Sequence, residues 1–220
     1  MSTVPLPQKT PGIRLKHVLF IFIGLMLAYV LFHTEHFLID SDDPSWPHYH
    51  AIGRWLLPHG LIGALVLILS FMQFSSRLRT RYTQFHRACG RTYITAVCVV
   101  APLGAYISVL DKGIGYTASF VVASTILAVL WMFATLMAFW HIRSRRVEYH
   151  RQWMTRSLAT ALVFLEIRVV GGLSGWEDTP ASDTVVVWAC VALAYPLADT
   201  ALQIEDFLRS RAKRELFPRS

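Results

Sequence analysis

The sequence predicts an all-α integral membrane protein with six transmembrane helices, and three observations carry that expectation. Hydrophobic residues make up 54% of the 220 and charged residues 16%, a balance too apolar for a soluble domain. The apolar residues come in long blocks, and a bilayer-spanning helix needs about 20 of them in succession. Lysine and arginine collect in the connections on one side, which orients a polytopic chain.

Six blocks meet or approach the required length: 15–32, 55–74, 92–110, 116–140, 157–173 and 184–202. The first has the basic flank "QKTPGIRLKH", but "AYVLFHTEHF" offers no small-x-small cleavage site, so a retained helix is expected. In the second, Pro58 is placed in the first turn, where a missing N–H costs nothing. The chain divides accordingly. Residues 1–14 form a cytoplasmic N-terminal segment, and 15–54 the first helix with a His/Asp-rich outer loop. Residues 55–173 form a central four-helix bundle of two like-oriented hairpins, 174–208 an outer loop and the sixth helix, and 209–220 a basic cytoplasmic tail.

One side of the chain carries Lys9, Arg14 and Lys16; Arg77, Arg79, Arg81, Arg87 and Arg91; Arg143, Arg145, Arg146, Arg151 and Arg156; and the tail's Arg209, Arg211, Lys213, Arg214 and Arg219. The other side has Arg54 and Lys112, and Arg168 falls within a span. Both termini are therefore expected in the cytoplasm of a bacterium, with the inner membrane as the site. The net charge of +7 sits where anionic headgroups lie, so the expected partner is the bilayer and not nucleic acid. Cys89, Cys98 and Cys190 have no zinc or redox spacing and read as packing residues.

The inner loops repeat. "RTRYTQFHR" (79–87) returns as "RSRRVEYHR" (143–151), 64 positions on, each ending in His-Arg behind an aromatic. Hairpins of the same orientation are related by an axis along the membrane normal, which makes His86 and His150 equivalent. Two facing imidazoles suit bis-histidine ligation of a haem iron, each ring anchored through its second nitrogen. Arg87, Arg91, Arg151 and Arg156 can hold haem propionates, a quinone or a lipid phosphate. Equally, His-Arg pairs can serve as plain headgroup anchors that end the helices.

His59 begins the second span, sixteen residues before Ser75 and so roughly 24 Å from the inner loops at helical rise. It reads as an outer cofactor ligand. His33 and His36, one turn apart, and His48 and His50 are its candidate partners or a surface copper or zinc site. Glu166 and Arg168 lie within the fifth span, where charges are costly. They point about 200° apart, so they cannot pair on one helix face. No phosphate-cradling glycine loop and no nucleophile elbow occurs.

"HGLIGALVLILSFMQF", "HRACGRTY" and "WMFATLMAFWHIRSRRVEYHRQWMTRS", with Arg168 beyond, together resemble an uncharacterised family of predicted bacterial membrane proteins, known only as a domain of unknown function. The matching residues are His59, His86-Arg87, Gly90-Arg91, Tyr93, His150-Arg151, Trp153-Met154, Arg156-Ser157 and Arg168. The resemblance implies a multi-span membrane protein and supplies no reaction. Four-helix membrane b-type cytochromes are a looser, fold-level likeness. They hold their ligands within spans, so the spans here would have to begin about a turn and a half earlier than hydropathy places them.

The expected function is an electron-transfer module binding haem b or another redox cofactor through His59, His86 and His150, with a quinone or protein redox partner. Two alternatives stand beside it. One is a small-molecule or ion transporter using Glu166 and Arg168; the other is a non-catalytic membrane subunit that organises lipids or partner proteins.

Overall fold

The computed structural model describes residues 15–34, 42, 46–110, 117–174 and 180–216. Its regular elements are all helical. In chain order they are α1 (Leu15–Tyr29), which continues as a π-helical turn over Val30–Thr34, α2 (Trp46–Gln73), the short α3 (Ser76–Arg81), α4 (Thr83–Leu110), α5 (Ala118–Arg143), α6 (Val147–Ser174) and α7 (Pro180–Leu216). Among the described residues, five segments are long and apolar enough to cross a membrane: Ile52–Gln73, Thr83–Leu110, Ala118–Arg143, Val147–Ser174 and Thr184–Leu208. The first apolar block forms the shorter helix α1, whose apolar stretch is Phe20–Tyr29.

The helices run further than the apolar blocks. α4 begins at Thr83 and α6 at Val147, where hydropathy places the span starts at 92 and 157. Polar residues at these ends lower mean hydropathy without opposing helix formation, and His86 and His150 are thereby carried on helices. α2 likewise starts at Trp46, so Pro58 lies inside it and not in its first turn. The expectation for Pro58 is corrected accordingly. Pro102 and Pro196 also lie inside helices. Spanning helices accept such prolines because neighbouring groups re-satisfy the freed carbonyls.

The two connections that carry the repeated arginine motif differ. After α2 the chain makes the extra turn α3, capped by Ser75, whose hydroxyl accepts from the Leu78 N–H at 3.4 Å. After α5 it reverses at once. Arg145 takes the left-handed conformation, φ 60°. The Arg145 N–H donates to the Ile142 carbonyl at 3.1 Å, and the Arg146 N–H to that of His141 at 2.9 Å. This is the double bond pattern of a Schellman cap, with arginine where glycine is usual.

Along the chain α2 packs on α4, α4 on α5, and α5 on α6; α7 lies in the groove between α5 and α6. α1 leans on α6, with Phe20 edge-on to Phe71 of α2 at 5.1 Å. One apolar cluster is shared by α1, α2, α4, α5 and α6. A second joins Ala123 and Leu127 of α5, Val163 of α6, and Val186, Val187, Cys190, Val191 and Ala194 of α7. Thr117, the α5 cap, ties its hydroxyl to that of Thr184 at 2.8 Å and pins the N-terminal part of α7 to α5.

Candidate functional site: an axial column of paired residues

The 64-residue offset of the loops extends through the helices. α4 and α6 both have 28 residues, and adding 64 to each end of Thr83–Leu110 gives the ends of Val147–Ser174. Offset-related residues also meet in space. The Tyr93 hydroxyl lies 2.8 Å from Oγ of Ser157, 64 residues away. His150 lies close enough to His86 for its charge to act there. These pairs recur every seven residues along both helices: His86 with His150, Tyr93 with Ser157, Val100 with Phe164. Seven residues is about two turns, so each set shares one face and successive layers are about 10 Å apart.

The inner layer holds His86 and His150. Nδ1 of His150 is 2.8 Å from the Ala138 carbonyl of α5, which fixes the ring and leaves Nε2 for another partner. His86 has a buried Nδ1 with no partner, while its backbone carbonyl accepts from Nε2 of Gln73 at 3.1 Å. That glutamine is 9% exposed, and its amide lies 3.4 Å from where a Cβ on Gly90 would stand. Two residues absent from the sequence-based site belong here. The Arg79 guanidinium is close enough to act electrostatically on both histidines. His141, 6% exposed, stacks on Tyr149 at 5.1 Å and lies near His150.

The middle layer is a dry polar cluster. Ser157 Oγ is shared between the Tyr93 hydroxyl and Oγ1 of Thr135 at 2.7 Å, and Thr135 donates to the Trp131 carbonyl at 2.8 Å. Tyr93, Thr135 and Ser157 are fully buried. The indole N–H of Trp131 lies beside the Tyr93 hydroxyl without reaching hydrogen-bond geometry. Each such bond between helices is worth about 0.6–2 kcal/mol.

The outer layer receives His59. Its ring faces the Val100 carbonyl and stands edge-on to Phe164 at 6.0 Å. A Cβ on Gly104 would stand 2.8 Å from its Cε1, so glycine makes room for the imidazole. The offset partner of Gly104 is Arg168, whose charge also acts on His59. A small residue on one helix and a cation on the other thus flank the same ring.

The remaining candidate residues disperse. Arg151 bridges Glu148 at 2.6 Å and, on α7, Glu205 at 3.2 Å and Asp206 at 3.1 Å. Arg156 holds Asp199 of α7 at 2.8 Å and lies over the Trp153 ring at 4.7 Å. Arg87 and Arg91 are exposed and have no acidic partner among the described residues. Glu166 faces α7 near Cys190, while the charge of Arg168 acts on His59. His33 is exposed and stacked on Tyr29 at 4.9 Å. His36 and the side chains of His48 and His50 lie outside the described residues. Among the described residues, no three His, Cys, Asp or Glu side chains gather as a metal site. All three cysteines are free thiols, and Cys89 and Cys190 are buried.

A family model described as "Predicted membrane protein (DUF2306)" matches residues 56–201. No curated protein and no solved structure matches the chain.

Proposed function

The chain belongs to this family of predicted membrane proteins, its matched segment running from α2 to α7, and from its axial column we propose a redox-cofactor-binding module of the bacterial inner membrane. In this proposal α1 supplies a sixth span, both termini lie on the arginine-rich cytoplasmic side, and a b-type haem is ligated between His86 and His150.

The supporting observation is the state of the inner imidazoles. His150 is anchored through Nδ1 on a backbone carbonyl, the arrangement that orients a metal-ligating histidine. Across the axis, His86 keeps a buried Nδ1 unpaired, at a cost of about 1–3 kcal/mol. A ligand held between the rings would offset that cost. Arg79, whose charge acts on both rings, would meet a propionate, while Arg156 is held by Asp199. Bound haem would supply a one-electron couple; the chain's part is to hold the two rings, keep water out with the Tyr93 cluster beneath, and neutralise carboxylates at the inner face. His59 would sit one leaflet away as a ligand or as a proton-accepting group.

The test is an absorption spectrum of detergent-purified protein, expressed with ample haem, first oxidised and then reduced with dithionite. A sharp reduced α-band that disappears in His86→Ala and His150→Ala is expected. A featureless spectrum, or one indifferent to both substitutions, overturns the assignment.

A further inference from the structure

α7 covers α6 with the same face that α4 leaves bare. Val163 of α6 is fully buried against α7, while its offset partner Val99 on α4 is 47% exposed. Arg151 meets Glu205 and Asp206; its offset partner Arg87 is exposed. On that bare face a groove of about 390 Å³ runs between α2 and α4, lined by Ile62, Leu65, Arg91, Thr95, Ala96 and Val99, with Thr92 at its inner end. Thr92 is the offset partner of Arg156, the residue that holds Asp199. The groove is thus the counterpart of the seat taken by α7, with a guanidinium at its inner end and an apolar floor.

Its depth decides what fits. The α7 seat runs from Thr184, tied to Thr117, to Asp206, tied to Arg151. That is 22 residue steps, or about 33 Å at helical rise, a full bilayer core of about 30 Å. The groove runs from Arg91 to Val99, about 12 Å at the same rise, and so ends within one leaflet. A spanning helix would overrun it, and a second copy would set Arg91 against Arg91. The first part of one hydrocarbon chain fits that length, since one leaflet is about half of the roughly 30 Å core. We propose that this groove is a binding site for an anionic phospholipid of the inner leaflet, with the phosphate on Arg91 and Thr92, Arg87 one turn nearer the surface, and an acyl chain along Ile62, Leu65, Thr95 and Val99. Guanidinium selects phosphate over a zwitterionic headgroup by paired, charge-assisted hydrogen bonds.

The experiment is native mass spectrometry of the purified full chain titrated with dioleoyl-phosphatidylglycerol or dioleoyl-phosphatidylcholine. One phosphatidylglycerol should bind about tenfold more tightly than phosphatidylcholine, the factor that corresponds to about 1.4 kcal/mol. Arg91→Gln should remove that preference while leaving residual binding of both lipids. Val99→Trp fills the groove with every charge intact and should weaken both lipids together. Equal affinities in the unaltered chain, or an undiminished preference in folded Arg91→Gln, overturn the site. So does a co-purifying polypeptide that Val99→Trp releases while lipid binding persists. If Arg91→Gln does not fold, Val99→Trp decides alone: unchanged lipid affinity then overturns the site.

Discussion

The α4 and α6 helices carry the same loop motif at the same register, yet they live in different surroundings. α6 is clamped by α7, which sets Asp199, Glu205 and Asp206 on Arg156 and Arg151. Among the described residues no helix clamps α4 in this way, and Arg87 and Arg91 stay at the surface. The difference teaches that the motif alone does not fix a role. The inward residues of the two copies converge on one column, while the outward residues diverge with whatever packs against them.

The sharpest way to break this comparison is at the 87/151 pair. Arg151 has a side chain 18% exposed among three carboxylates that are 46–60% exposed. Removing it takes away the guanidinium that Glu148, Glu205 and Asp206 share, though all three are partly solvated. Arg151→Ala should therefore cost about 2 kcal/mol, below the 3–5 kcal/mol of a fully buried pair. Arg87→Ala should stay within about 0.5 kcal/mol, as surface changes do. Unfolding in a denaturing detergent titration measures both. Equal losses would mean that α7 does not distinguish the two hairpins.

The 93/157 pair sharpens the same comparison inside the column. Ser157 is the shared member, bonded to both Tyr93 and Thr135. Ser157→Ala leaves the buried Tyr93 hydroxyl unpaired and should cost about 1–1.5 kcal/mol. Tyr93→Phe removes the hydroxyl itself and lets Ser157 and Thr135 keep each other, so about 0.5 kcal/mol or less is expected. The same titration separates the two; a costlier Tyr93→Phe would place the hub of the cluster on α4 instead.

Much of the fold is legible in the sequence because block length is a one-dimensional signal. The loop repeat is legible for the same reason, since "FHR" and "YHR" are chemically alike. Its continuation is not. Tyr93 and Ser157 share a hydroxyl but not a size, Gly104 and Arg168 share nothing but the offset, and only the inward face of each helix relates them. The helix ends at Thr83 and Val147 are hidden because "TQFHRACGR" and "VEYHRQWMTR" are polar, and hydropathy measures apolarity and not helicity. The carboxylates of α7 on Arg151 and Arg156 lie 43 to 55 residues away, and nothing local announces them. His141 and Arg79 are missed because each becomes part of the inner layer only when two helix ends meet.

The smallest effect has opposite signs in the two hairpins. Arg145 and Arg81 are offset partners. Arg145 sits at φ 60° in the Schellman cap of α5, a conformation that costs a residue with a Cβ about 1–2 kcal/mol; glycine escapes that cost but partly gives the gain back in the freedom it loses on folding. Arg81 closes the last turn of α3, where glycine loses about 1 kcal/mol of helix propensity. Arg145→Gly should therefore stabilise the chain by about 1 kcal/mol at most, and Arg81→Gly should destabilise it by up to about as much. Both substitutions remove one exposed positive charge from the same membrane face, so any shared electrostatic effect cancels when the pair is compared. What remains is the backbone: one copy of the motif turns through a left-handed residue, the other through an extra helical turn. Two shifts of the same sign would mean that the connections reverse the chain in the same way, and that the hairpins differ only in what covers them.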